Sequence, residues 1–358
     1  MEFAKSNNTP FFKEVVQAVH GYFKDNQLSM LGNRSMLLKG LVIVGTYFAC
    51  YGLILFSDIG LLGKQLLAIV MGFCGVLTVF NIVHDASHNA IFRKKKWNKL
   101  ASYLGDIMGI NTYIWDIRHN IQHHHYTNVL GGDIIIENVP LVRLSEHQQH
   151  HWFHRYQILY APFLYVFYSF YWIFVIDFKL FFQKEICDLH DIKHPGNEWL
   201  KLIFFKALYI TYSILIPILV MDIAWYYIVI GFLVMHGFAG ALLSSIALLG
   251  HFVEGPVFPE PNDEGQIESS WGDHELDATI DFANKSRFAH WFTGGLNTHI
   301  PHHLFPGICH VHYYDLVDVI KEVCEKHGKV YQQESFMHAM ASHFRYLKRL
   351  SKANPTYA

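Results

Sequence analysis

The chain is short of charge. Only 16% of its 358 residues are Asp, Glu, Lys or Arg, against roughly 25% in a soluble globular domain. The charges nearly cancel, 28 basic against 30 acidic for a net −2. No basic surplus marks a nucleic-acid binder, and no nucleic-acid partner is expected. Cysteine is sparse: five residues, at 50, 74, 187, 309 and 324, with no CxxC pair. Neither a disulfide framework nor an iron–sulfur ligand spacing fits that scatter. The first 35 residues lack an apolar signal core, so no cleaved signal peptide is expected. No Gly-rich nucleotide fingerprint, internal repeat or low-complexity tract is visible. What is plentiful is apolar residues, 52%, too many for a disordered chain. Histidine is plentiful too, with 25 residues, nearly as many as Lys plus Arg.

The apolar residues gather in runs near the roughly 20 residues a spanning helix needs. These runs are 40–56, 65–83, 156–176, 202–221 and 223–250. Backbone in lipid must satisfy its own hydrogen bonds, so each run reads as helix. Lys206, alone in the fourth run, is expected to snorkel. Basic residues then decide which runs cross. The segment 93–96 is Arg-Lys-Lys-Lys, Arg155 and Lys179 flank the third run at both ends, and Lys184, Lys193 and Lys201 precede the fourth. The connections 57–64 and 221–224 carry one basic residue and none. Positive loops mark the cytoplasmic face, so the third run lies in the membrane face without crossing.

The expected fold is an all-α membrane protein with four transmembrane helices in two hairpins. In-plane interfacial helices occupy 156–176 and 100–115, and a cytoplasmic helical cap carries the histidine motifs. Both termini are expected on the cytoplasmic face. A single domain over 1–358 is expected: an interfacial helix in 1–36, started by Thr9-Pro10, hairpins in 37–250 with an insert at 84–201, and a cytoplasmic part at 251–358.

Three motifs order the histidines: His84-Asp-Ala-Ser-His88, His119-Asn-Ile-Gln-His123-His124-His125, and His299-Ile-Pro-His302-His303. Spacing of i, i+4 puts two imidazoles on one helix face. No span separates the first motif from the second. The last run ends beside His251, and the third motif follows without another crossing, so all three reach one membrane face. A closed zinc site takes four ligands, and this supply suggests two metals. Imidazole suits Zn, Cu, Fe and Ni alike. Oxidising an unactivated lipid chain, the chemistry a membrane setting suggests, needs a redox metal and dioxygen, and zinc has no redox chemistry.

At these residues the chain resembles integral-membrane fatty acid desaturases, the histidine-box di-iron family, in its front-end and bacterial acyl-CoA or acyl-lipid branch. His84–His88 (HDASH) resembles the first box, and WDIRHNIQHHHYTN from Trp115 the second. GGLNTHIPHHLFPGICHVHYYDL from Gly294 resembles the third box, and Gly250-His251-Phe-Val-Glu254 resembles the segment that adds a ligand between boxes. The third box opens on His299 where the front-end branch usually has Gln. The resemblance implies two iron ions held by His84, His88, His119, His123, His124, His251, His299, His302 and His303, with O2 as co-substrate. It implies a long-chain acyl substrate (acyl-CoA, acyl-ACP or acyl-lipid) and a separate electron donor, a ferredoxin or a b-type cytochrome with its reductase. No fused cytochrome domain is expected. Metal-bound histidines need partners that fix their tautomer, for which Asp85, Asn89, Asp116, Asn120, Glu254 and Asp281 are candidates.

Other histidines are set aside. His147, His150, His151 and His154 contain a further HxxHH, at a position where interfacial polar residues are expected. His125, His310 and His312 have no place in the family pattern. Two rival readings remain: a fatty acyl or lipid hydroxylase or acetylenase on the same centre, and a histidine-rich metal-binding or transport protein. Transport requires ionisable groups along a path through the spans, where only Lys206 and His236 stand in the later ones.

Overall fold

The computed structural model describes residues 1–4, 9–137, 139 and 141–352. Among the described residues, four helices are long and apolar enough to cross a membrane: Arg34–Phe56, Leu61–Ser87, Glu198–Val220 and Trp225–Ala247. At 1.5 Å per residue, 23 residues span about 35 Å, enough for a bilayer core. They pair as two hairpins. In the first turn Lys64 donates to the carbonyls of Ile54 (2.6 Å) and Ser57 (2.9 Å), satisfying groups the first span leaves open at its C-terminus. The second and fourth spans pack closely at Gly72, where a Cβ would meet the backbone carbonyl of Met235.

The third apolar run is a bent pair of helices, Trp152–Val166 and Tyr168–Phe182, meeting at 67°. The stretch 100–115 likewise divides, into Lys95–Ile107 and Thr112–Asp116, at a turn where Gly109 has φ 94°. Lys206 corrects one expectation. It is 7% exposed and does not snorkel. Its Nζ donates to Asp177 Oδ2 and to the Ile173 carbonyl, both at 2.6 Å. Asp177 also accepts from the Asn111 amide at 2.8 Å. A cation inside the apolar slab thus turns inward to a carboxylate on the bent pair, because it has a partner there. His236 is similarly engaged, with Tyr209 at 2.7 Å and Ser169 at 3.1 Å.

The remaining helices cover the histidine end of the spans. Pro10–Asp25 begins at an N-cap Thr9 whose hydroxyl accepts from the Phe12 amide at 3.3 Å. Its apolar face (Phe11, Val15, Val19, Phe23) is buried with residues of Tyr313–Lys326, so this helix lies against protein. Two short parallel pairings tie the cap together: Glu2–Phe3 with Gln266–Ile267, and Asp281–Phe282 with Gln333–Glu334.

Candidate metal centre

The first two histidine motifs sit where regular α-helix gives way to π-helical turns. A π-helical turn, Val79–Val83, immediately precedes His84 at the end of the second span. A second π-helical segment, Ile117–His123, carries His119 and His123. Such turns are rare and gather at functional sites. The third motif forms the short helix His299–Leu304. It follows a left-handed turn at Gly294 (φ 63°) and Gly295 (φ 77°). A Cβ on Gly294 would strike the Phe80 carbonyl, so this turn fits directly against the π turn below the first box.

Nine imidazoles converge there in two groups. His84, His88, His119, His124 and His302 form one, and His123, His251, His299 and His303 the other. Within each group the ligand atoms lie within 4.8 Å of one another. The Nε2 atoms of His84 and His119 are 3.0 Å apart, and those of His251 and His299 are 2.7 Å apart. All but His88 are buried.

Spacing alone misassigns the second box. His119 and His123 are i, i+4 in sequence, yet they face different groups. The amide of His124 bonds back to the His119 carbonyl (3.0 Å), an i→i−5 bond that brings His119 and His124 to one side. On the third motif, true helix keeps His299 and His303 together and sends His302 to the first group.

The electrostatics suit cations. Burial, then neighbouring imidazoles, holds His88, His119, His124, His251, His302 and His303 well below the usual imidazole range, and His299 down to about 3. They are therefore neutral at pH 7, the form that ligates a metal. Buried nitrogens of such rings need a partner. His303 Nε2 and both nitrogens of His302 have none in the protein. Two all-imidazole sets with unpartnered inward nitrogens fit a pair of transition-metal ions.

The two groups are held differently. In the four-histidine group every ring is fixed from behind through Nδ1. His123 meets Asp133 Oδ2 at 2.9 Å and His303 meets Glu275 Oε2 at 2.8 Å. His299 meets the Leu296 carbonyl at 3.0 Å and His251 the Ala278 carbonyl at 3.3 Å. Each contact leaves Nε2 facing inward. In the five-histidine group, Nδ1 of His84, His119 and His124 lacks a hydrogen-bond partner, and rings are held by packing. Trp115 stacks on His119, centroids 4.3 Å apart and 18° from parallel.

The sequence candidates for supporting groups fare unevenly. Asp85 accepts from His310 Nδ1 (2.7 Å), the His310 amide (3.2 Å) and Cys309 Sγ (2.9 Å), joining the first box to the segment after the third. Its nearest approach to His84 Nδ1 is 3.9 Å, too long for a hydrogen bond. Asn120 bonds the Ser87 carbonyl (3.0 Å) and Asp116, and no box imidazole. Asn89 occupies a turn with φ 59°. Glu254 turns outward to Arg345 at 2.7 Å, where it is half exposed. Asp281 accepts from the Ile300 amide (3.0 Å) and the Tyr331 hydroxyl (2.6 Å), fixing the backbone of the third box. The two acids that hydrogen-bond rings of the nine gathered histidines, Asp133 to His123 and Glu275 to His303, were not singled out by sequence. Nothing in their spacing marks them, although a buried acid beside a histidine, as in His274-Glu275, is a usable hint.

The histidines set aside find other work. His147 bonds the Phe258 carbonyl (2.7 Å) and Glu260 (2.7 Å), and His150 the Ser351 carbonyl (3.0 Å). These contacts tether the loop at 258–260 and the end of the C-terminal helix. His310 belongs to the Asp85 cluster.

Residues 64–335 match the family model described as fatty acid desaturase. The chain is 36% identical to an sn-1 linoleoyl-lipid 6-desaturase of Synechocystis sp., with 96% of each chain covered. It is 34% identical to a protein of the same name from Arthrospira platensis, over 95% of this chain and 92% of that one. It is 30% identical to an acyl-lipid (8-3)-desaturase of Physcomitrium patens, over 98% of this chain and 73% of that one.

Proposed function

The chain belongs to the fatty acid desaturase family, and from that premise we propose a dioxygen-dependent desaturation, at two irons, of acyl chains carried on membrane lipids. His84, His88, His119, His124 and His302 would hold one iron, and His123, His251, His299 and His303 the other. The carrying observation is the division of nine imidazoles, eight of them buried, into two convergent groups at the end of the spans. The acyl-lipid carrier is favoured by the names of the three relatives. By the placing of its basic loops, the site and both termini face the cytoplasm, where a separate ferredoxin or b-type cytochrome can reach them.

Two irons held there would supply, with dioxygen, two electrons and two protons, the oxidising power for taking two hydrogens from adjacent carbons, with two waters released. The protein's own part is positioning. Asp133, Glu275 and two backbone carbonyls fix the tautomers of the second group. Asp281 sets the backbone of the third box. The apolar spans beneath exclude water and hold the chain in one register against the irons.

The test is expression of the full chain in a host of known lipid composition, with products located by mass spectrometry and metal counted in the purified protein. New double bonds, lost in His302→Ala, together with iron in the protein, support the reading. Hydroxylated chains alone would move it to the hydroxylase alternative, and zinc without iron would overturn it.

A further inference from the structure

The short helix Arg287–Thr293, which leads into the third histidine motif, lies against the outside of the spans. Phe292 is 5.3 Å from Phe73 on the second span, and Phe73 is 6.4 Å from Phe238 on the fourth. Phe288 stacks on Phe292 at 5.9 Å and is itself exposed. The apolar surface of the spans therefore continues onto this helix. Trp291 is exposed beside it, and Leu38 and Leu41 are exposed at the start of the first span. Lys39 stands between those leucines, its Nζ 4.8 Å from the centre of the Trp291 ring. A tryptophan and a lysine together at the end of a span mark the level of the lipid headgroups.

Two polar groups at this level lack a counterpart among the described residues. Lys39 donates to His310 Nε2 at 3.4 Å and forms no ion pair. Asp85 lies behind His310 and already accepts from three donors. An ammonium carries three protons, so two are left over. His290, next to Trp291, is 9% exposed, and neither of its ring nitrogens has a partner. Its ring is 6.2 Å from that of His310 and 5.8 Å from that of Tyr314. Lys39 and His290 thus flank one ring. Buried polar atoms are ordinarily hydrogen-bonded, and a cation among lipid-facing leucines calls for an anion. At headgroup level the anion at hand is lipid phosphate.

We propose that Lys39 and His290 hold the phosphate of a glycerophospholipid of the bilayer, whose acyl chains lie on Phe288 and Phe292. Arg287, exposed over the Tyr314 ring at 4.7 Å, adds a second cation at the rim. The bound lipid braces the approach to the metal centre. Its helix ends at Gly294, where the turn fits against the Phe80 carbonyl, and His299 opens the next helix. A lipid seated here therefore steadies the third motif against the first. The site stands on the spans and this helix, whatever metal the histidines hold.

The experiment uses the full chain purified in detergent. Added dioleoylphosphatidylglycerol should raise the melting temperature saturably, and native mass spectrometry should show one such lipid retained. In Lys39→Met and in His290→Phe the concentration for half the effect should rise about tenfold or more, the scale of one lost hydrogen bond to a charged group. Inorganic phosphate, and a phosphate-free galactosyl diacylglycerol, should leave the melting temperature where it was. A second measurement needs neither of those variants. In nanodiscs of phosphatidylglycerol brominated on its upper acyl carbons, Trp291→Phe should lose less fluorescence to quenching than the unmodified protein. An equal rise with inorganic phosphate would make this an ion site and overturn the lipid. An equal rise with the galactolipid would overturn recognition of phosphate. Unchanged affinity in both variants, or quenching unaltered by Trp291→Phe, would overturn the site.

Discussion

Replacing Asp133 by Asn separates the roles of the two histidine groups. Asp133 is fully buried, and its carboxylate accepts three hydrogen bonds. Oδ2 takes His123 Nδ1 and the Asn128 amide, both at 2.9 Å, and Oδ1 takes the Ile135 amide at 2.9 Å. An amide side chain has one acceptor oxygen and one two-proton donor. With its oxygen in the Oδ2 place it keeps His123 and Asn128, but its NH2 then faces the Ile135 N–H, donor against donor. Flipped, it loses two bonds instead of one, so the first orientation prevails. The unmade bond costs roughly 1–3 kcal/mol of stability. The surviving contact to His123 is no longer charge-assisted and is roughly half as strong. Loss of such support typically lowers metal affinity or activity by about 10–100-fold, or about 1.4–2.8 kcal/mol at 1.4 kcal/mol per tenfold. His123 belongs to the four-histidine group alone, so the loss should fall on one ion. Iron counted in protein purified under limiting iron should drop from near two towards one, with product falling in parallel. Two irons retained with unmodified activity would refute the argument that Asp133 holds a ligand.

Lys206→Met leaves Asp177 buried without its cation, a change that typically costs about 3–5 kcal/mol. Adding Asp177→Asn removes the stranded charge while keeping an acceptor for the Asn111 amide, and should recover most of that loss in thermal melts in detergent. A single variant as stable as the parent would show the pair to be dispensable. Acid should also destabilise the fold. Burial holds His274 down to about 4 and His290 to about 3, while an unfolded histidine titrates near 6.5. Between pH 6.5 and about 4 the unfolded chain binds the extra protons, so stability falls as pH falls through that window. Burial raises Asp281 to about 6, which acts in the opposite direction between that value and the usual carboxylate range, but the buried imidazoles are more numerous. Melting temperature should therefore decline from pH 6.5 towards 4, and a rise over that interval would contradict the burial argument.

Much of the fold was legible because the bilayer imposes a one-dimensional rule. Uncharged runs of sufficient length read as spans wherever they occur in the chain, and the structure has four such helices in the places expected. The basic residues around 156–176 also told against a simple crossing, and that run is bent by 67°. Lys206 was misread because a sequence shows the cost of a buried cation but not its partner, and Asp177 lies 29 positions away on another helix.

For the site, residue type and spacing picked out the three motifs, and the resemblance to the family added His251 and left out His125 and the HxxHH at His147, His150 and His151. Only the tertiary structure decided how the nine divide. The i→i−5 bond at His124 rotates His123 away from His119, a local helical choice that the spacing does not encode. The supporting acids were likewise a matter of tertiary contact. Glu254 stood beside His251 in sequence and faces Arg345, whereas Glu275 reaches His303 from 28 residues away. A hydrogen bond depends on where two atoms lie, and proximity along the chain fixes that only within a single turn of helix.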